Sequence, residues 1–169
     1  MVHVSSRKAT TLPKPPAPVP LDATDRRILE ALDDEPRAPA LLLAQRLSLA
    51  RGTVQSHLER LARGTALRAH SVRVEPQSLG RPLRAFVTAE VDQELFDQTI
   101  TALTAIPEVI ECSAIAGADD IICQVVARNA DDLYEVGQAI LRCRGIRRTS
   151  TSIVLRQLMP YRISQLLPE

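Results

Sequence analysis

Between Leu41 and Leu61 the chain reads LLLAQRLSLARGTVQSHLERL, two short helical patterns separated by a tight break. Leu42, Leu43, Ala44 and Leu47 supply one apolar stripe, and Val54, Leu58 and Leu61 supply the next at helical intervals. This is the spacing that locks a helix-turn-helix together. The second helix leaves Arg51, Thr53, Gln55, Ser56, His57 and Arg60 on its open side, side chains that reach phosphates and base edges in a duplex. Double-stranded DNA is therefore the first partner implied.

The flanking residues complete a small head. Asp22 or Thr24 is placed to cap a helix carrying Ile28, Leu29 and Leu32, and Pro36 stops it. Pro39 suits the first turn of a second helix running to about Leu47. After a Ser48-Leu49-Ala50 connection, a third helix runs from about Arg51 to Arg63 and ends near Gly64. Leu67 to Val74 alternates well enough for a short strand or wing. Arg51, Arg60 and Arg63 are expected on phosphates, with Thr53, Gln55 and Ser56 as the base readers.

Charge supports this reading. The net charge is only +1, but residues 1–75 hold 12 Lys or Arg against 8 Asp or Glu, while residues 76–169 hold 9 against 12. The basic half is the one with the helix-turn-helix, although an excess of four charges makes a monomer a weak, salt-sensitive binder. Dimerisation remedies that. Residues 1–20 contain five prolines and no acid, and read as an extended arm in which Arg7, Lys8 and Lys14 add phosphate contacts. Aromatics are 2% of the chain, which disfavours single-strand recognition by base stacking.

The pattern changes in the second half. LRAFVTAEV at 83–91 reads as a strand, and LFDQTITALTA at 95–105 as an amphipathic helix ended by Pro107. VIECSAIA and IICQVVA follow as two strands joined by a tight Gly117-Ala118-Asp119-Asp120 turn. A helix over about Ala130 to Cys143, broken at Gly145, leads to a last strand from about Ile146 to Leu155. The order strand-helix-strand-strand-helix-strand is that of a ferredoxin-like sandwich. The fold class is thus α+β: an arm (1–20), a winged helix-turn-helix head (21–75), a linker (76–82) and a ferredoxin-like domain (83–169). In IICQVVA both alternating sets are apolar apart from Gln124, and in VIECSAIA only Glu111 and Ser113 interrupt, which suggests an apolar second sheet face that needs a partner, hence a homodimer.

Other classes find little support. Cys112, Cys123 and Cys143 are widely spaced with no CxxC, against a disulfide framework or zinc ribbon; they read first as core thiols and second as redox sensors. The N-terminus lacks an apolar signal core and no run is long enough to span a bilayer, so the expected location is cytoplasmic. Three histidines, no Ser-His-Asp set, no Walker loop and no GxGxxG leave no enzyme to propose. No metal or cofactor is called for.

The stretches LDATDRRILEAL, LAQRLSLARGTVQSHLERL, IPEVIECSAIAGADDIICQV and GIRRTSTSIVL, in this order and spacing, resemble the Lrp/AsnC (feast/famine) family over roughly residues 21–158. The resemblance implies a transcription factor whose second domain dimerises, assembles into octamers or higher states and senses an amino acid. The family's effector pocket lies between neighbouring domains beside a loop usually reading Gly-Asp-Tyr-Asp. Here Gly117 and Asp120 match that loop, and Ala118 and Asp119 depart from it. Its backbone amides would serve a ligand carboxylate and Asp120 the ammonium, with Thr149 and Thr151 adding hydroxyls. The departures also keep open an architectural DNA-binding protein without an amino-acid effector. Ala50 stands where family members place a capping Ser, and His57 where many have Arg, which implies a contact that is pH-dependent near neutrality.

Overall fold

The computed structural model describes residues 20–167, which group into two compact units. Of these, 20–73 and 158–167 make one unit, and Val74–Gln157 makes the other. The expected basic arm lies almost wholly outside the described residues.

The head unit is built from three helices, α1 (Ala23–Asp34), α2 (Ala40–Leu47) and α3 (Arg51–Arg63). Asp22 caps α1 in a reciprocal box: its carboxylate accepts from the Asp25 amide at 2.8 Å, and Asp25 accepts from the Asp22 amide at 3.1 Å. The chain leaves α2 through Ser48, whose φ of 54° places a non-glycine residue in the left-handed region. The Leu49 amide then donates to the Ala44 carbonyl at 2.9 Å, which closes the tight turn before α3. Ile28 and Ala31 of α1, Leu43 and Ala44 of α2, and Val54 and Leu61 of α3 form the core, so all three helices depend on one another. Burying an Ile or Leu fully contributes about 1.5–3 kcal/mol, which outweighs the weak propensity of helices this short.

The stretch expected as a strand or wing, Leu67 to Val74, is instead a loop with a 3₁₀ turn at His70–Arg73. Its alternation buries nothing, since Leu67, Val72 and Val74 are exposed. A strand needs a ladder partner, and none pairs with this segment among the described residues. Farther along, Tyr161 lies under the Arg68 guanidinium, 4.6 Å from ring centroid to Cζ, and its hydroxyl accepts from Arg68 Nη2 at 3.3 Å.

The second unit has the order β1 (Leu83–Val91), α4 (Phe96–Thr104), β2 (Val109–Ala114), β3 (Ile121–Ala127), α5 (Ala130–Leu141) and β4 (Ile146–Ile153). Its sheet is antiparallel throughout, in the order β2-β3-β1-β4, the ferredoxin-like arrangement. Ala85, Val87, Ala89, Ile121, Cys123 and Val125 face Leu103 of α4 and Leu133, Val136 and Ile140 of α5. Gly145 takes φ 97° between α5 and β4, where a Cβ would stand 2.3 Å from Thr99 Oγ1.

The opposite sheet face corrects the expectation of a broad apolar surface. Its rows read Glu111-Gln124-Phe86-Ser152 and Ser113-Ile122-Thr88-Ser150 from edge to edge. Phe86 and Ile122 are left as a narrow apolar patch between the polar residues that all four strands place on this side, Thr88, Glu111, Ser113, Gln124, Ser150 and Ser152.

Candidate functional site

Helix α3 carries the candidate DNA contacts. It starts at Ala50, which has no side chain able to cap it, and two of its arginines, Arg60 and Arg63, stand in its last turn. With Val54 and Leu61 turned into the core, Arg51, Thr53, Gln55, Ser56, Arg60 and Arg63 are exposed. The open face is not wholly basic. Glu59 lies between Gln55 and Arg63, accepting from Gln55 Nε2 at 3.1 Å and from Arg63 Nη2 at 3.0 Å. These successive i,i+4 contacts pre-orient two of the expected DNA-contacting side chains. Glu59 escaped the sequence reading, although its spacing of four from each partner was legible.

His57 and Arg60 are placed differently from their neighbours. The His57 side chain is only 18% exposed, and its Nδ1 lies 2.8 Å from Asp25 Oδ1. The same Nδ1 also lies 3.0 Å from Arg60 Nη2, so the ring stands between a carboxylate that accepts and a guanidinium that donates. Arg60 donates to Asp22 at 2.6 Å and also to Asp25, whose side chain is 1% exposed. Burial pushes the Asp25 carboxyl up, but hydrogen bonds from Arg60, His57 and the Asp22 amide outweigh it and hold the group below its ordinary value. Hydrogen bonds from Arg60 and the Asp25 amide hold Asp22 at about 2. The capping carboxylates of α1 thus bolt α3 in place through two residues first read as DNA contacts. Asp22, Asp25 and His57 bring their ligand atoms within 4.8 Å of one another, but Arg60 already supplies the cation there.

The effector candidates gather at one end of the sheet of the second unit. The Asp120 amide donates to the Ala89 carbonyl at 3.0 Å, and Ala89 stands opposite Thr149. Thr151 lies one row farther along the same face, opposite Val87. Asp120 Oδ2 accepts from the Val91 amide at 2.7 Å and Oδ1 from Gln93 Nε2 at 3.3 Å, so both oxygens anchor the loop to the end of β1. Asp119 Oδ1 lies 3.5 Å from an Arg148 guanidinium nitrogen. Gly117 and Ala118 are exposed, with open space where a Cβ on Gly117 would stand. The loop therefore presents backbone at its tip, while its two carboxylates are already engaged.

Comparison with known proteins agrees with both halves. The family described as "Winged helix-turn-helix DNA-binding" matches residues 21–64, and that described as "Lrp/AsnC ligand binding domain" matches residues 84–163. The proline dehydrogenase transcriptional activator of Rhizobium radiobacter is 30% identical over 142 residues, covering 82% of this chain and 91% of that protein. The structure of E. coli AsnC is 25% identical with a TM-score of 0.77, covering 86% of this chain and 99% of AsnC. A feast or famine regulatory protein from M. tuberculosis, complexed with L-methionine, is 30% identical with a TM-score of 0.73, covering 85% of this chain and 98% of that one. With a DNA-reading head followed by a ferredoxin-like ligand-binding fold, in the same order and over most of both chains, the protein belongs to the Lrp/AsnC family of transcriptional regulators.

Proposed function

We propose that this regulator reads its operators with Thr53, Gln55 and Ser56 in the major groove, holds the phosphates with Arg51 and Arg63, and keeps α3 aligned through His57 and Arg60. The observation that carries this assignment is the division of α3 between an exposed polar face and a pair of side chains drawn onto Asp22 and Asp25. Its setting is the cytoplasm, where such a regulator meets DNA. It acts as a homodimer through the sheet face that carries Phe86 and Ile122, and further assembly to an octamer or another higher state multiplies its weak individual heads.

The effector in this reading is an amino acid held beside Gly117–Asp120, with Thr149 and Thr151 in reach and a neighbouring copy closing the site. The methionine complex of the M. tuberculosis relative supports the class of ligand. Because Asp120 is spent on Val91 and Gln93 and Asp119 faces Arg148, the ammonium acceptor is assigned to backbone carbonyls of the loop. The same engagement favours a second reading, an architectural protein without an amino-acid effector. An anisotropy titration on DNA upstream of the protein's own gene, with and without methionine and a pool of the other amino acids, separates the two. A shift in affinity supports sensing; specific binding that no amino acid moves favours the architectural role.

A further inference from the structure

Cys112 on β2 and Cys123 on β3 stand directly opposite each other in the antiparallel ladder. Directly paired residues project to the same sheet face with Cβ atoms about 4.5–5.5 Å apart and Cα atoms about 4.5–5.5 Å apart. A disulfide accepts Cα separations of about 4.4–6.8 Å and Cβ separations of about 3.5–4.5 Å, so the register meets the first, and a slight approach of β2 to β3 brings the second into range. Cys123 is buried in the core, whereas Cys112, on the edge strand, is half-buried and reachable from solvent. All three cysteines are free thiols. Their sulfurs do not gather as a metal site, since the described residues offer only Asp22, Asp25 and His57 as such a group.

We infer that Cys112 and Cys123 form an oxidisable dithiol, a modification site at which a hydroperoxide closes a disulfide across the base of the β2–β3 hairpin. The two sulfurs divide the work. A hydrogen bond from the Cys123 thiol holds the Cys112 thiol below its ordinary value, while the same contact and burial push Cys123 up. Cys112, which is the one of the pair that a peroxide can reach from solvent, is the attacking sulfur. Its thiolate forms an S–O bond as the peroxide O–O bond breaks, giving a sulfenic acid, and the departing hydroxide takes a proton to become water. The Cys123 sulfur then attacks the sulfenic sulfur: the S–S bond forms, the S–O bond breaks, and the released hydroxide leaves as water with the Cys123 proton. In balance, two thiols and one hydrogen peroxide give one disulfide and two waters.

Position gives the bond its consequence. Ala114 and Ile121 are the next pair on the same face, and beyond them the chain turns through Gly117–Asp120. The disulfide therefore ties the two stems of the loop that the proposed effector would meet, although its formation does not depend on that ligand. Cys143, after α5, is near enough to disfavour charge on Cys123 but has no place in the ladder.

The test treats the full-length reduced protein with hydrogen peroxide, alkylates the remaining thiols, and measures intact and peptide masses. The expected result is a monomer-mass species lighter by two hydrogens, a peptide link between Cys112 and Cys123, and full reversal by dithiothreitol. Cys143→Ala keeps the link. Cys112→Ala, at a half-buried edge position, keeps a cooperative melt and loses the link. Addition of oxygen to Cys112 without a link, a link involving Cys143, or a link only between molecules overturns the proposal.

Discussion

A single carboxylate sets the terms for α3. Asp25 is almost fully buried yet ionised, because His57 and Arg60 converge on it from a different helix. Removing Arg60 leaves that carboxylate short of a charged donor, and Arg60→Ala is expected to lower the midpoint of denaturant unfolding of the head. Its effect on DNA then follows from stability as well as from any lost phosphate contact. Gln55→Ala behaves differently: stability stays within about 0.5 kcal/mol, while discrimination at one operator position falls by about 1–3 kcal/mol in competition binding against single-base variants. Equal losses on specific and random DNA would remove Gln55 from the readers. The acid limb of stability follows from the same cluster. Asp22 is held at about 2 against an ordinary 3.8, and Asp25 also lies low, so their folded carboxylates favour ionisation. That contribution is fully present above the unfolded value and is lost as pH falls through the folded one. Thermal melts should therefore decline between about pH 4 and about pH 2, less steeply in Asp22→Asn than in the parent chain.

Elements whose signals are local were the ones most legible in the sequence. Asp22 caps α1, Gly64 ends α3, and the strands of 83–91 and 121–127 sit where their apolar runs predicted. What failed depended on partners outside the window. Leu67 to Val74 alternates like a strand but has no ladder partner among the described residues, and the second face expected to be apolar from β2 and β3 is crossed by Thr88, Ser150 and Ser152, which only the register of β1 and β4 reveals. His57 and Arg60 looked solvent-facing because helical spacing says nothing of an Asp 32 residues earlier in the chain. The loop proposed to meet an effector was legible as a tight turn and by resemblance, with Asp120 expected on a ligand ammonium; its bonds to Val91 and Gln93 depend on the end of β1 lying beside it, which the turn signal does not reveal. Gly145 is the element-level position open to the sharpest test. Its φ of 97° and the closeness of Thr99 and Leu95 leave a methyl no room. Gly145→Ala should destabilise the second unit by about 2 kcal/mol or more, seen as a lowered denaturation midpoint.

At the scale of the whole molecule, weak heads and a narrow apolar patch make assembly the quantity to watch. Phe86→Glu places a charge on the patch at a residue that is 39% exposed, so folding should survive it. If the patch is the dimer contact, light scattering coupled to size exclusion should show a shift from dimer to monomer at micromolar concentration with little change in melting temperature. A parent chain that is already monomeric there would end the assignment. The bolt between α1 and α3 carries a further implication for how such regulators exchange operators. The residues proposed to read bases share α3 with His57 and Arg60, but the carboxylates that receive His57 and Arg60 belong to α1. Grafting Arg51–Arg63 onto a foreign head would carry the readers across while stranding His57 and Arg60 without acceptors. A transplant of operator preference succeeds only when Asp22 and Asp25 travel with it, so the unit of inheritance for specificity here is a pair of helices.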